Sequence, residues 1–145
     1  MGPVTWRCPA CDRRFGRRGQ SHLCVPVVSL DAWFADRPPV QRQVCDRVLA
    51  HLGTVGPVDV DAAEVGILIK RERTFAELRP HRGHLRLSVL LDHDVVSPRV
   101  SRQIVPGSSR GFNHYAVFFV LSSADDVDEE IRDLLTESYE SSPIA

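Results

Sequence analysis

From residue 58 to residue 121 the chain is a succession of short segments of strand character, joined for the most part by connections of hairpin length. Such a connection has no room for the crossover helix that parallel neighbours require, so the strands must pair mainly antiparallel. Five segments stand out, at residues 58–60, 65–70, 73–79, 84–91 and 111–121. The last is the most β-prone, with Tyr115, Val117, Phe118, Phe119 and Val120. Residues 92–110, with Pro98, Pro106 and Gly107, read as irregular.

Helical patterns flank this run. Val40, Val44, Val48, Leu49 and Leu52 form one apolar stripe, with Pro39 in its first turn and Gly53 as its stop. Ser123 opens the last helix as N-cap with Asp126 three residues on, and Val127, Ile131, Leu134, Leu135 and Tyr139 supply its stripe. Two helices at the ends of such a run can both cover one sheet face. The expected class is α+β: a two-layer sandwich of helix, about five mainly antiparallel strands, and helix. Residues 39–140 make up this body and 141–145 a tail. Residues 25–38 form a Pro-containing linker, whose Trp33 and Phe34 lie in a short helical turn that docks on the body.

With 145 residues, 43% hydrophobic and 26% charged, the chain has the balance of one globular domain with a small appendage. No apolar run is long enough for a spanning helix, so no membrane partner is expected. The first 24 residues carry no apolar stretch, and the cysteines are not needed as disulfide staples at this size; the expected location is cytoplasmic. The net charge of −1 is a cancellation between a formal +4 in residues 1–24 and −7 in residues 124–140, with +2 in the remainder. A basic head suits a polyanionic partner, and the acidic last helix argues against one wrapping that side.

The amino-terminal segment, residues 1–24, reads as a small zinc-binding knuckle. Cys8 and Cys11 have the spacing that lets two thiolates reach one ion from a tight turn, and His22 and Cys24 complete a Cys₃His set. With four protein ligands, the Zn²⁺ would be structural, and Trp6 and Phe15 could cap the metal with a small apolar cluster. A thioredoxin-like redox pair would want a preceding strand and a βαβ context, which the arginine-rich surroundings lack. A Cys8–Cys24 or Cys11–Cys24 disulfide and a chance clustering of cysteines are the other competing readings. The fourth cysteine, Cys45, sits at an interior position of a helical pattern and reads as a core thiol.

Arg13, Arg14, Arg17 and Arg18 lie in this segment and would make sequence-independent, salt-sensitive phosphate contacts. Alternation puts Leu85, Leu87, Val89 and Leu91 under the helices. The opposite, open face then carries Lys70, Arg73, Arg79, His84 and Arg86 against Glu77, an anion-attracting surface if the strand parities align. A solvated face whose charges protect the sheet is the plainer alternative. His81, His84, His93 and His114 fall at strand ends and turns, and Asp92-His93-Asp94 could bind metal or exchange protons, but its spacing matches no ligand motif. No nucleophile elbow, phosphate-binding glycine loop, dinucleotide fingerprint or zinc-protease motif occurs, and no catalytic residue is assigned.

The strand pair over residues 65–79 with Phe75, the 84–91 strand, and Ser97-Pro98-Arg99 resemble the domain-of-unknown-function 5655 family. The tail from Leu121-Ser122-Ser123-Ala124-Asp125-Asp126-Val127-Asp128 through Ile131 and Leu135 to Ser138-Tyr139-Glu140 is similar as well. The resemblance covers residues 39–140 and implies a small α+β sheet. Similar domains are appended to predicted nucleases and occur in DNA-modification contexts, which implies nucleic-acid-related work. The family supplies no catalytic residues, and a metal-knuckle-like amino end accompanies some short members. The expected function is a non-enzymatic zinc-binding module that contacts nucleic acid or an acidic protein through its arginine-rich head. The alternatives are an interaction or dimerisation domain using the open sheet face, and a small ligand-binding protein or enzyme using the strand-end histidines. The oligomeric state is open.

Overall fold

A computed structural model of the chain describes residues 6–9, 14–15, 18 and 29–141. In the amino-terminal part, β1 (Trp6–Arg7) pairs antiparallel with β2 (Arg14–Phe15), setting Trp6 opposite Phe15 and Arg7 opposite Arg14.

The body begins at α1 (Leu30–Phe34), where the Ser29 hydroxyl accepts from the Ala32 amide at 3.1 Å. This one-turn helix is fastened to the body by side chains. Trp33 and Phe34 are buried in the main core, and Trp33 Nε1 donates to the Ala63 carbonyl at 2.7 Å.

Helix α2 (Pro39–Val55) starts on proline, whose missing N–H costs nothing in a first turn. It runs through Gly53, the expected stop, to a cap at Gly56. An internal helical glycine costs only about 1 kcal/mol, and packing of Val55 against the core holds the last turn. Gly56 has no room for a side chain, because a Cβ there would run into the Tyr139 hydroxyl, which donates to the Pro57 carbonyl.

Six strands follow: β3 (Asp59–Ala63), β4 (Gly66–Lys70), β5 (Thr74–His81), β6 (His84–Leu91), β7 (Val100–Ile104) and β8 (Tyr115–Leu121). They form one antiparallel sheet in the order β3-β4-β5-β6-β8-β7. The sixth strand is β7, inside the stretch expected to be irregular. Val-Ser-Arg-Gln-Ile has little strand character of its own, and it is ordered at the sheet edge by pairing with the strongly β-prone β8. The β5–β6 hairpin turns on Arg82 and Gly83, both at positive φ (49° and 82°), the backbone that a tight two-residue hairpin requires.

The final helix differs at its start. The Asp126 carboxylate accepts from the Ser122 and Ser123 amides, but the turn it closes is a short 3₁₀ segment, Ala124–Asp126. Helix α3 (Glu129–Ser141) begins after it, and Asp128 accepts from the Ile131 amide at 3.2 Å. Arg99 ties this start to the loop before β7. Its guanidinium lies 2.8 Å from both Asp128 oxygens and 2.7 Å from the Asp126 carbonyl. Burial pushes the Asp128 carboxyl upward, and the Arg99 hydrogen bond with its neighbours more than offsets this, leaving the pKa below the usual carboxylate range.

Helices α2 and α3 pack together and both cover β6, so the molecule is a two-layer α+β sandwich. Leu85, Leu87, Val89 and Leu91 alternate into the core as the pattern predicts. Ser138 is a fully buried polar residue, with its hydroxyl 2.7 Å from the Leu90 carbonyl and 3.1 Å from that of Phe75, fixing α3 over the β5–β6 pair. Cys45 is fully buried, and loss of solvation pushes its thiol up to about 12. Native Cys45 should therefore resist iodoacetamide at about pH 8 and react only on unfolding; mass mapping that finds it modified in the native state would contradict this placement.

Candidate functional site

With both long helices on one side, no described helix covers the other sheet face. The register builds it: Leu68, Glu77, Ser88 and Phe118 stand side by side across β4, β5, β6 and β8, with Arg102 next on β7. Arg79 on β5 pairs with Arg86 on β6. Glu77, Arg79, Arg86, Ser88, Arg102 and Phe118 line a cavity of about 400 Å³, together with Phe112 from the loop before β8. Phe118 lies between two cations. The Arg86 guanidinium carbon is 5.1 Å from its ring centroid and that of Arg102 is 5.7 Å away, both within cation–π range. Arg79 Nε donates to Glu77 Oε2 at 3.0 Å. Three guanidiniums against one carboxylate leave the cavity electropositive, and its aromatic floor is flanked by donors.

Of the residues expected on this face, the structure brings Arg79 and Arg86 together at the cavity. Lys70 lies outside it, 2.8 Å from Asp61 in a largely covered ion pair on the β3–β4 side. Arg73 is not a strand residue. It belongs to the bend between β4 and β5 and borders a small cleft with Asp92, His114 and Ser138. The register slips at Lys70 beside that bend, so strand parity counted back from β5 does not carry through to Arg73. His84 opens β6, and its buried Nδ1 has no hydrogen-bond partner among the described residues; the carbonyl of the same residue accepts from Gln41 at 3.4 Å.

Sequence reasoning missed Arg102 and the role of Phe118. Arg102 fell in the stretch read as irregular. Phe118 is masked by its neighbours, because Val117, Phe118, Phe119 and Val120 are apolar on both faces and alternation marks neither ring as the open one. Counting back from Leu121, which is buried, would have placed Phe119 inside and Phe118 outside.

Of the strand-end histidines, His81 and His84 face each other across the β5–β6 hairpin, and His93 lies away from both. His84 is at one end of β6 and His93 just beyond the other, roughly 25 Å along the strand. His114 Nδ1 is 3.7 Å from Asp92. His93 pairs with Glu137 at 2.7 Å and its Nδ1 lies 2.7 Å from the Asp94 carbonyl. The Asp94 carbonyl first, then Glu137, raise the His93 pKa above its ordinary value. The stabilisation is present below the unfolded pKa, about 6.5, and is lost as pH rises through the raised folded value. His93→Ala should lower the melting temperature at about pH 5.5 and leave it unchanged near pH 9; an equal loss at both pH values would refute the assignment.

Among the described residues no cluster of three potential metal ligands occurs. Of the proposed zinc ligands, Cys8 is buried against Trp6, and Cys11, His22 and Cys24 lie outside the described residues. Of the head arginines, Arg18 is exposed, Arg14 is in β2, and Arg13 and Arg17 lie outside the described residues. No described helix is long and apolar enough to cross a membrane.

Among the described residues, a helix-backed antiparallel sheet with one basic face defines the class, a small α+β domain. The chain belongs to the family described as "Domain of unknown function (DUF5655)", whose model matches residues 30–142. The match begins at α1, the helix that Trp33 fastens to the body. Within it, Arg99 of the Ser97-Pro98-Arg99 stretch grips Asp128 of the similar tail, so two separated parts of the resemblance meet in space. No curated protein and no solved structure matches the chain.

Proposed function

We propose that this protein is a non-enzymatic nucleic-acid-binding module that takes a single strand across its open sheet face. The observation that carries the reading is the Phe118 ring flanked by Arg86 and Arg102 inside an electropositive cavity. A single strand offers what such a surface needs, exposed base faces for an aromatic platform and phosphates for guanidiniums. A duplex hides its base faces and would meet the sheet only through phosphates. The acidic α3 lies in the helical layer, behind the sheet, so it does not oppose a strand in front. In this reading a structural Zn²⁺ on Cys8, Cys11, His22 and Cys24 organises the head, and Arg13, Arg14, Arg17 and Arg18 add phosphate contacts.

The test is fluorescence anisotropy with a labelled single strand of about 12 nucleotides, titrated between about 50 and 200 mM salt. Saturable, salt-dependent binding that is tighter than for the matching duplex supports the reading. No binding at low salt, or equal binding to the duplex, overturns it, and complete displacement by poly-glutamate would reassign the face to an acidic protein. Metal analysis tests the head separately: one zinc per chain is expected, lost in Cys11→Ser.

A further inference from the structure

The single carboxylate in an otherwise cationic cavity is unexplained by phosphate binding, which Glu77 can only oppose. Resting on the single-strand reading above, we propose that the cavity holds one unpaired base stacked on Phe118, and that Glu77 selects guanine there. Glu77, Ser88 and Phe118 are successive cross-strand neighbours, so Glu77 stands about two strand spacings, roughly 10 Å, from the ring. That separation suits a purine whose face covers Phe118 and whose edge reaches toward β5. One Glu77 oxygen accepts from Arg79 at 3.0 Å, which anchors the carboxylate. The other oxygen receives no hydrogen bond from any described residue.

A carboxylate can only accept, so it ranks the bases by the donors they present. Guanine offers two adjacent donors, N1–H and the N2 amino group. Adenine and cytosine each offer one amino donor beside a ring-nitrogen acceptor. Uracil and thymine set two carbonyl acceptors around a single N–H, which a carboxylate repels. Arg86 and Arg102, on either side of the Phe118 ring, are placed to meet the flanking phosphates.

The experiment titrates the full chain with 5′-GMP, 5′-AMP, 5′-CMP and 5′-UMP by amide chemical-shift perturbation, beside the labelled strand. GMP should bind at least about tenfold more tightly than UMP, the discrimination expected of one bidentate base contact. Glu77→Gln, with its melting temperature checked against the parent, should cut that ratio to about twofold or less, since the amide replaces one acceptor by a donor. Phe118→Leu should weaken all four nucleotides while keeping their order. Equal affinity for GMP and UMP, or a preference surviving Glu77→Gln, overturns the proposal even where the strand still binds. If neither the strand nor any nucleotide binds, the single-strand reading falls with it.

Discussion

Arg86→Ala combined with Arg102→Ala is expected to weaken single-strand binding by about 2–3 kcal/mol, roughly 30- to 150-fold. Each guanidinium contributes a phosphate contact and charge beside the base platform, and both act on the same ring. Removing two phosphate contacts should also flatten the dependence of log affinity on log salt by about 1.4, at roughly 0.7 per contact on a single strand. Neither arginine has an ion-pair partner among the described residues, so folding should change by less than about 0.5 kcal/mol. Arg47→Ala is the matched control. Arg47 is a surface arginine on α2, in the helical layer, 3.9 Å from Asp125, and its loss should leave affinity and slope as they were. Equal losses in the control and the double variant would mean that general charge, not this face, attracts the strand.

Trp33→Ala is expected to destabilise the fold by about 3–5 kcal/mol, a fall of roughly 10–20 °C in Tm. The indole is buried against the core, edge-on to Phe34 with ring centroids 4.7 Å apart, and the Arg37 guanidinium carbon lies 3.7 Å from its ring centroid. Its Nε1–H satisfies the Ala63 carbonyl at the end of edge strand β3. Alanine would remove the packing and leave that carbonyl unpaired. Trp33→Phe keeps most of the aromatic packing and removes the donor; a smaller loss, about 1–2 kcal/mol, is expected. Denaturant unfolding of the three proteins reads both numbers. A Trp33→Ala variant as stable as the parent would mean that α1 is an appendage to the body, with no part in holding it.

The layering was legible because burial repeats with a fixed period. Leu85, Leu87, Val89 and Leu91 alternate without interruption, and Val44, Val48 and Leu52 recur at helical spacing, so both core faces could be read before any tertiary contact. Element ends were less legible. Gly53 is a local signal that lost to longer-range packing, since Val55 held α2 on the core past it; the Ser123–Asp126 box formed, but on a 3₁₀ turn, and α3 starts after it, where Asp128 accepts from the Ile131 amide. Strand β7 has no local signal at all, since its order comes from its neighbour.

The sequence by itself determined the antiparallel α+β class, the core faces of the central strands and helices, and Arg79 and Arg86 as members of the open face. Those follow from periodicity and connection length, which are properties of consecutive residues. Only the tertiary structure decided which charges share a site. It placed Lys70 with Asp61, removed Arg73 to a bend, and brought Arg102 and Phe118 beside Arg86 from strands that follow it in sequence. Cross-strand neighbours are fixed by strand order and register, and a local slip, such as the one at Lys70, takes the residues beside it, here Arg73, off the face that alternation assigns.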